Sequence, residues 1–169
     1  MIARYWVSST LGFYSGDKVE DAREANAAEI NQQLNPVKSL EDLKPAKLQQ
    51  VETWTASAIT SGFISAAAGV IATYDSTEAD QQNIMLMLQA AQNANFATHP
   101  VYKGKIPIRA VPEGQFSKVV LQLNAAQMQQ LVIDMALHIG ACKQTGWKLQ
   151  EEAAAAKTVE EIHAIKWPE

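Results

Sequence analysis

Two hydrophobic rhythms run along this chain. From Asn124 onward, Met128, Leu131, Met135, Ile139, Cys142, Gly146, Leu149, Ala153 and Ala156 step by three and four residues, so they share one stripe of a helix. At 1.5 Å per residue that helix could reach about 50 Å. Asn124 with Gln127 predicts a capping box at its start, and Thr158-Val-Glu-Glu161 predicts another on a short last helix closed by Trp167-Pro168. Leu48, Val51, Thr55, Ala58 and Ile59 keep helical spacing within residues 39–61. There Ser39 and Asp42 cap a first turn, Pro45 suits the start of the longer piece, and Gly62 stops it. Ile84, Met87, Leu88 and Ala91 make one face of a further helix, with starting oxygens from Asp75-Ser-Thr77. Residues 19–34, rich in Ala and Glu, predict a helix that ends near Asn35-Pro36.

The second rhythm is short. Tyr5-Trp-Val7 and Phe13-Tyr14 flank a turn cluster containing Gly12. Phe63-Ile-Ser65 and Val70–Tyr74 flank Ala-Ala-Ala-Gly69, and Ile106-Pro-Ile108 and Lys118–Leu123 flank Pro112-Glu-Gly114. Each arrangement predicts a β-hairpin. Pro107 cannot donate to a ladder, so its run is expected at an edge or irregular, and 93–104 reads as loop. The expected fold is α+β and predominantly helical, with short hairpins packed on a long C-terminal helix and a short final helix. Two parts are expected. Residues 1–37 would form a small docking module of aromatic hairpin plus helix, and 38–169 a helical domain with two hairpins.

Composition sharpens this picture. The chain has 169 residues, 47% hydrophobic and 19% charged, with 27 Ala and 15 Gln. Such helices present surfaces that are polar yet cheap to desolvate. A chain of this length buries about two thirds of its unfolded surface and needs no disulfide or metal to fold. Cys142 is the one cysteine, so no internal bridge forms and a reducing cytoplasm suits it. The net charge of -4 and a pI near 5.4 argue against a nucleic-acid footprint. The longest weakly polar stretch, Gly62 to Thr73, is far short of the about 20 residues of a membrane span. No secretory signal pattern opens the chain. A soluble protein with no membrane or nucleic-acid partner is expected.

Candidate chemistry is scarce. His138 and Cys142 lie four apart on one helix face, the spacing of a two-ligand metal site or a thiol–base pair. A structural zinc takes about four ligands, and His99 and His163 lie elsewhere in the chain. Cys142 therefore reads as a buried packing thiol, with a small enzyme using His138 and Cys142 as the alternative. Asp75, Glu78 and Asp80 fit a helix N-terminus without a Ca²⁺ ladder. Lys103, Lys105 and Arg109 read as a solvated loop without aromatic interleaving. No phosphate-binding glycine motif occurs. Catalytic, cofactor and metal residues are thus expected to be none.

Tyr5, Trp6, Phe13 and Tyr14 crowd a module too small to bury them. Either they anchor a partner or they pack on the main domain. Met128, Leu131, Met135, Ile139 and Leu149 form a seam for an intramolecular helical hairpin or for self-association. Gly140 and Gly146 weaken that helix by about 1 kcal/mol each relative to Ala, which points to close packing at both.

Longer stretches resemble a known family. Ile59-Thr-Ser-Gly-Phe-Ile64, Thr73-Tyr-Asp-Ser76 and Asp80-Gln-Gln-Asn-Ile84 are similar to a phage tail-associated domain family of unassigned activity. So are Val120-Leu-Gln-Leu, Asn124-Ala-Ala-Gln-Met, His138-Ile-Gly-Ala-Cys and Thr158-Val-Glu-Glu-Ile162 with Ile165-Lys-Trp-Pro168, together about 45–168. Arg4-Tyr-Trp-Val-Ser-Ser-Thr-Leu-Gly-Phe-Tyr14 resembles the start of phage tail-fibre assembly proteins. Ala66-Ala-Ala-Gly-Val70 departs from the more polar turn common in the domain family. The resemblance implies a non-enzymatic bacteriophage tail protein, made in the host cytoplasm and located in the virion tail. Its implied partner is a tail-fibre or baseplate protein, with a homo-oligomer, trimer or hexamer, as a further expectation. A host-takeover binding protein is the remaining alternative.

Overall fold

The computed structural model of the chain describes residues 4–34, 38–93 and 95–168. It divides into two units, Met1–Leu43 and Lys44–Glu169. Half of the described residues are helical and 17% lie in strands, which form two antiparallel sheets. The fold is α+β, and the expectation of a predominantly helical protein is corrected. Local patterning found the hairpins but not the pairing between them that builds continuous sheets.

The first unit holds β1 (Tyr5–Ser8), β2 (Gly12–Ser15) and β3 (Arg23–Glu24) in the order β2-β1-β3, followed by α1 (Ala27–Leu34). The helix expected over 19–34 is thus confined to 27–34. Arg23 pairs with Val7, Glu24 pairs with Trp6, and the Ala25 amide donates to the Tyr5 carbonyl at 2.9 Å. These ladder bonds use backbone groups that a helix would need, while Ala22 and Ala25 are buried. Asn26 then starts the shorter helix: its side chain accepts from the Glu29 amide, and the Glu29 carboxylate accepts from the Asn26 amide, both at 3.0 Å. In the β1–β2 turn, the Asp21 carboxylate accepts from the hydroxyls of Ser8, Ser9 and Thr10. Those bonds hold its pKa far below the usual carboxylate range. The stop expected at Asn35-Pro36, and the part boundary at 37, lie outside the described residues.

In the second unit, β4 (Phe63–Ser65), β5 (Ala72–Tyr74), β6 (Ile106–Pro112) and β7 (Val119–Leu123) form one sheet in that order. β6 is interior by order, where Pro107 led to the expectation of an edge or irregular strand. However, β5 reaches only Ala110–Pro112, so Pro107 lies in the half of β6 that pairs with β7 alone. The missing N–H is tolerated there because no second strand needs it. Inward side chains Phe63, Ala72, Tyr74, Ile106, Ala110 and Leu123 meet Ile84 and Ala91 of α3 (Glu78–Ala91) and Met128, Leu131 and Met135 of α4 (Ala125–Ala155). Full capping boxes start α3 at Thr77–Asp80, α4 at Asn124–Gln127 and α5 (Val159–Ala164) at Thr158–Glu161.

α2 (Leu40–Thr60) opens with reciprocal bonds between Ser39 and Asp42 and continues through Pro45 as one helix. It runs antiparallel to the C-terminal half of α4: Ala58 meets His138, Thr55 faces Gly146, and Lys44 reaches the Ala154 carbonyl at 2.8 Å. Lys47 donates to the Ile165 carbonyl at 3.2 Å, which ties α2 to the segment after α5. Gly62 ends this region at φ +106°, and a Cβ there would lie 2.9 Å from the Tyr74 carbonyl oxygen. Only glycine fits that position. Beside it the fully buried Ser76 hydroxyl accepts from the Gly62 amide at 2.9 Å and donates to the Ile59 carbonyl at 2.6 Å.

Candidate partner interface

The strand register separates the four N-terminal aromatics into two pairs. Trp6 and Tyr14 are directly opposite and share one face of the small sheet; Tyr5 and Phe13 fall on the other. The first pair is tied into the unit. Trp6 Nε1 donates to the Gly16 carbonyl at 2.9 Å, the Lys18 ammonium lies 5.6 Å from its ring centroid, and the Tyr14 hydroxyl accepts from the Val19 amide at 2.9 Å. Tyr5 and Phe13 stack with centroids 5.4 Å apart, worth about 0.5–1.5 kcal/mol beyond burial. All four rings are half-buried, while the described buried residues of this unit are Ser8, Ala22 and Ala25. Leu11, at the turn, is 60% exposed. The sequence brought four aromatics to one module, and the register decides that only Tyr5 and Phe13 form an uncommitted ring pair.

The seam residues face inward. Met128, Leu131, Met135 and Leu149 are buried within the single chain and Ile139 is half-buried. The sheet and α3 take the first three, and α2 runs along the second half of the helix. These positions are packed by the chain's own residues. Close approach holds at Gly146 but not at Gly140, where an added Cβ would meet nothing within 4 Å.

His138 and Cys142 do come together, with Sγ 3.7 Å from Nε2. The same nitrogen lies 3.1 Å from the Ala58 carbonyl oxygen, which can only accept, so Nε2 carries the proton. It then has no lone pair for the thiol, and burial pushes the Cys142 thiol above its ordinary pKa. This arrangement suits a packing contact between α2 and α4. Among the described residues, no group of three or more His, Cys, Asp or Glu could hold a metal ion. No described helix is long and apolar enough to cross a membrane.

Asp75 pairs with Lys118 at 2.6 Å, and Asp80 completes the Thr77 cap, so both have structural uses. The loop at 95–105 is more ordered in its contacts than the sequence suggested. Tyr102 lies against both Phe96 and His99, with centroids 5.9 and 5.1 Å away. Aromatic rings therefore do accompany Lys103 and Lys105.

This fold defines an α+β protein of two units, in which a four-stranded antiparallel sheet is backed by helices and a small sheet carries the aromatic pair. Residues 42–166 match the model of the family described as Domain of unknown function (DUF4376), and the chain belongs to that family. No curated protein and no solved structure matches the chain.

Proposed function

We propose that this is a non-enzymatic bacteriophage tail protein that binds a tail-fibre or baseplate protein through the Tyr5–Phe13 face of its N-terminal unit. The observation that carries the reading is the burial pattern of that unit. Ala22 and Ala25 are buried, whereas the four large rings are left half-exposed. Partly exposed aromatics on a small rigid sheet are typical anchors of protein interfaces. The phage assignment rests on the resemblance of Arg4–Tyr14 to tail-fibre assembly proteins and of about 45–168 to a tail-associated domain. Trimeric or hexameric assembly belongs to the proposal, through surfaces other than the internal seam of α4.

The test is co-purification with a tail-fibre or baseplate protein. Replacing Tyr5 and Phe13 by Ala should abolish it while helical content is kept. Retained binding by that double variant refutes the docking face. Mass spectrometry of purified particles then decides the location. Integer stoichiometry supports a tail component, and absence from the particle together with no affinity for the fibre supports the host-takeover alternative.

A further inference from the structure

We propose that the outer face of the four-stranded sheet is a second docking surface, built for an acidic polypeptide segment. Its inner face is covered by α3 and α4, but its outward positions remain open: Ile64 is 69% and Val120 56% exposed, and Thr73 and Arg109 are exposed. The register aligns Ile64, Thr73 and Val111 across three strands and sets Arg109 opposite Val120. A solvated sheet face normally alternates polar residues outward. Here β-branched apolar side chains hold several of those positions, so the face has the composition of one that is covered.

Charge identifies the occupant. None of the four strands contains a carboxylate, and Arg109 is the cation on the outer face, with Lys105 just before β6. From Gln81 to Pro112 there is no Asp or Glu at all, in a chain whose net charge is -4. Neither Lys105 nor Arg109 forms an ion pair with a described residue. In the neighbouring cleft of about 300 Å³, which Arg109 lines, Asp75 is paired with Lys118 and Asp80 is held by the Thr77 cap. Cations beside exposed Val and Ile complement carboxylates beside apolar side chains. A membrane surface would call for about 4–8 clustered cations, and the negative net charge opposes long polyanions. The surface belongs to the Lys44–Glu169 unit and does not depend on the partner proposed for the Tyr5–Phe13 face.

The experiment uses the full chain and a fluorescein-labelled decapeptide of alternating Glu and Val, followed by anisotropy at about 50 mM salt. Saturable binding is expected, about tenfold weaker for Lys105→Glu with Arg109→Glu, which should instead gain binding to the matching Lys–Val peptide. Arg109→Gln alone should weaken the acidic peptide less, with unchanged circular dichroism. Four results overturn the proposal: no saturable binding up to millimolar peptide; binding indifferent to charge reversal; preference for oligothymidylate or phosphatidylglycerol vesicles; or a dimer in sedimentation that Val120→Asp dissociates.

Discussion

Two glycines of α4 offer an internally controlled test of how this helix packs. Replacing a mid-helix Gly by Ala gains about 1 kcal/mol of helix propensity. At Gly140 nothing stands within 4 Å of the new methyl, so Gly140→Ala should stabilise by about 0.5–1 kcal/mol. At Gly146 the methyl would overlap Thr55 Oγ1 and come within 3.2 Å of its Cγ2 and 3.3 Å of its Cβ. Thr55 cannot swing away freely, because its hydroxyl donates to the Val51 carbonyl at 2.8 Å. Overpacking of this kind costs about 1–3 kcal/mol, and an off-rotamer Thr55 adds about 0.5–1.5. The sum exceeds the propensity gain, so Gly146→Ala should destabilise by about 1–2 kcal/mol. Urea denaturation of both variants should show midpoints moving in opposite directions with unchanged slope. In a Thr55→Ala background the Gly146→Ala penalty should largely vanish, which a double-mutant cycle measures. If both glycine variants stabilise alike, α2 and α4 do not approach as described.

Two buried hydroxyls should answer differently to deletion. Ser76→Ala leaves the Gly62 amide and the Ile59 carbonyl without their partner, at a cost of about 2–4 kcal/mol in thermal or urea unfolding. Tyr74 Oη is buried with no hydrogen-bond partner among the described residues, so Tyr74→Phe should fall within about 0.5 kcal/mol of the parent; a large loss would reveal a hydrogen bond at that oxygen. In the first unit, the Arg23 guanidinium and the Asn26 amide lower the Glu29 pKa from 4.5 to about 2. The folded value is the lower one, so this contribution is present above about pH 4.5 and lost as pH falls towards about 2. The Asn26 amide NMR signal, whose N–H donates to the Glu29 carboxylate, should shift with a midpoint near pH 2, and in Glu29→Gln this transition should be absent.

The sequence made α4 and its neighbours legible because their signals are local. Asn124, Gln127, Thr158 and Glu161 cap as their spacing implies, and Met128 to Ala153 keep one face. What stayed hidden depends on distant partners. Residues 19–26 have helical composition, yet pairing with Trp6 and Val7 claims Arg23 and Glu24 for a strand. β6 was expected at an edge or irregular because Pro107 is visible locally, whereas its pairing with β5 at Ala110–Pro112 is not. The aromatic site was half legible: composition collected Tyr5, Trp6, Phe13 and Tyr14, but only register distributes them between faces. The stripe of α4 was legible as a stripe. Its spacing alone does not distinguish a partner in the same chain from one in another.

That stripe has one more consequence. The first half of α4 completes the sheet core through Met128, Leu131 and Met135, and the second half meets α2 at Gly146 and Lys44. A single unbroken helix of 31 residues therefore belongs to both regions at once. Loosening either end frays the support of the other, so the Lys44–Glu169 unit is expected to melt as a single cooperative block, with calorimetric and van't Hoff enthalpies equal.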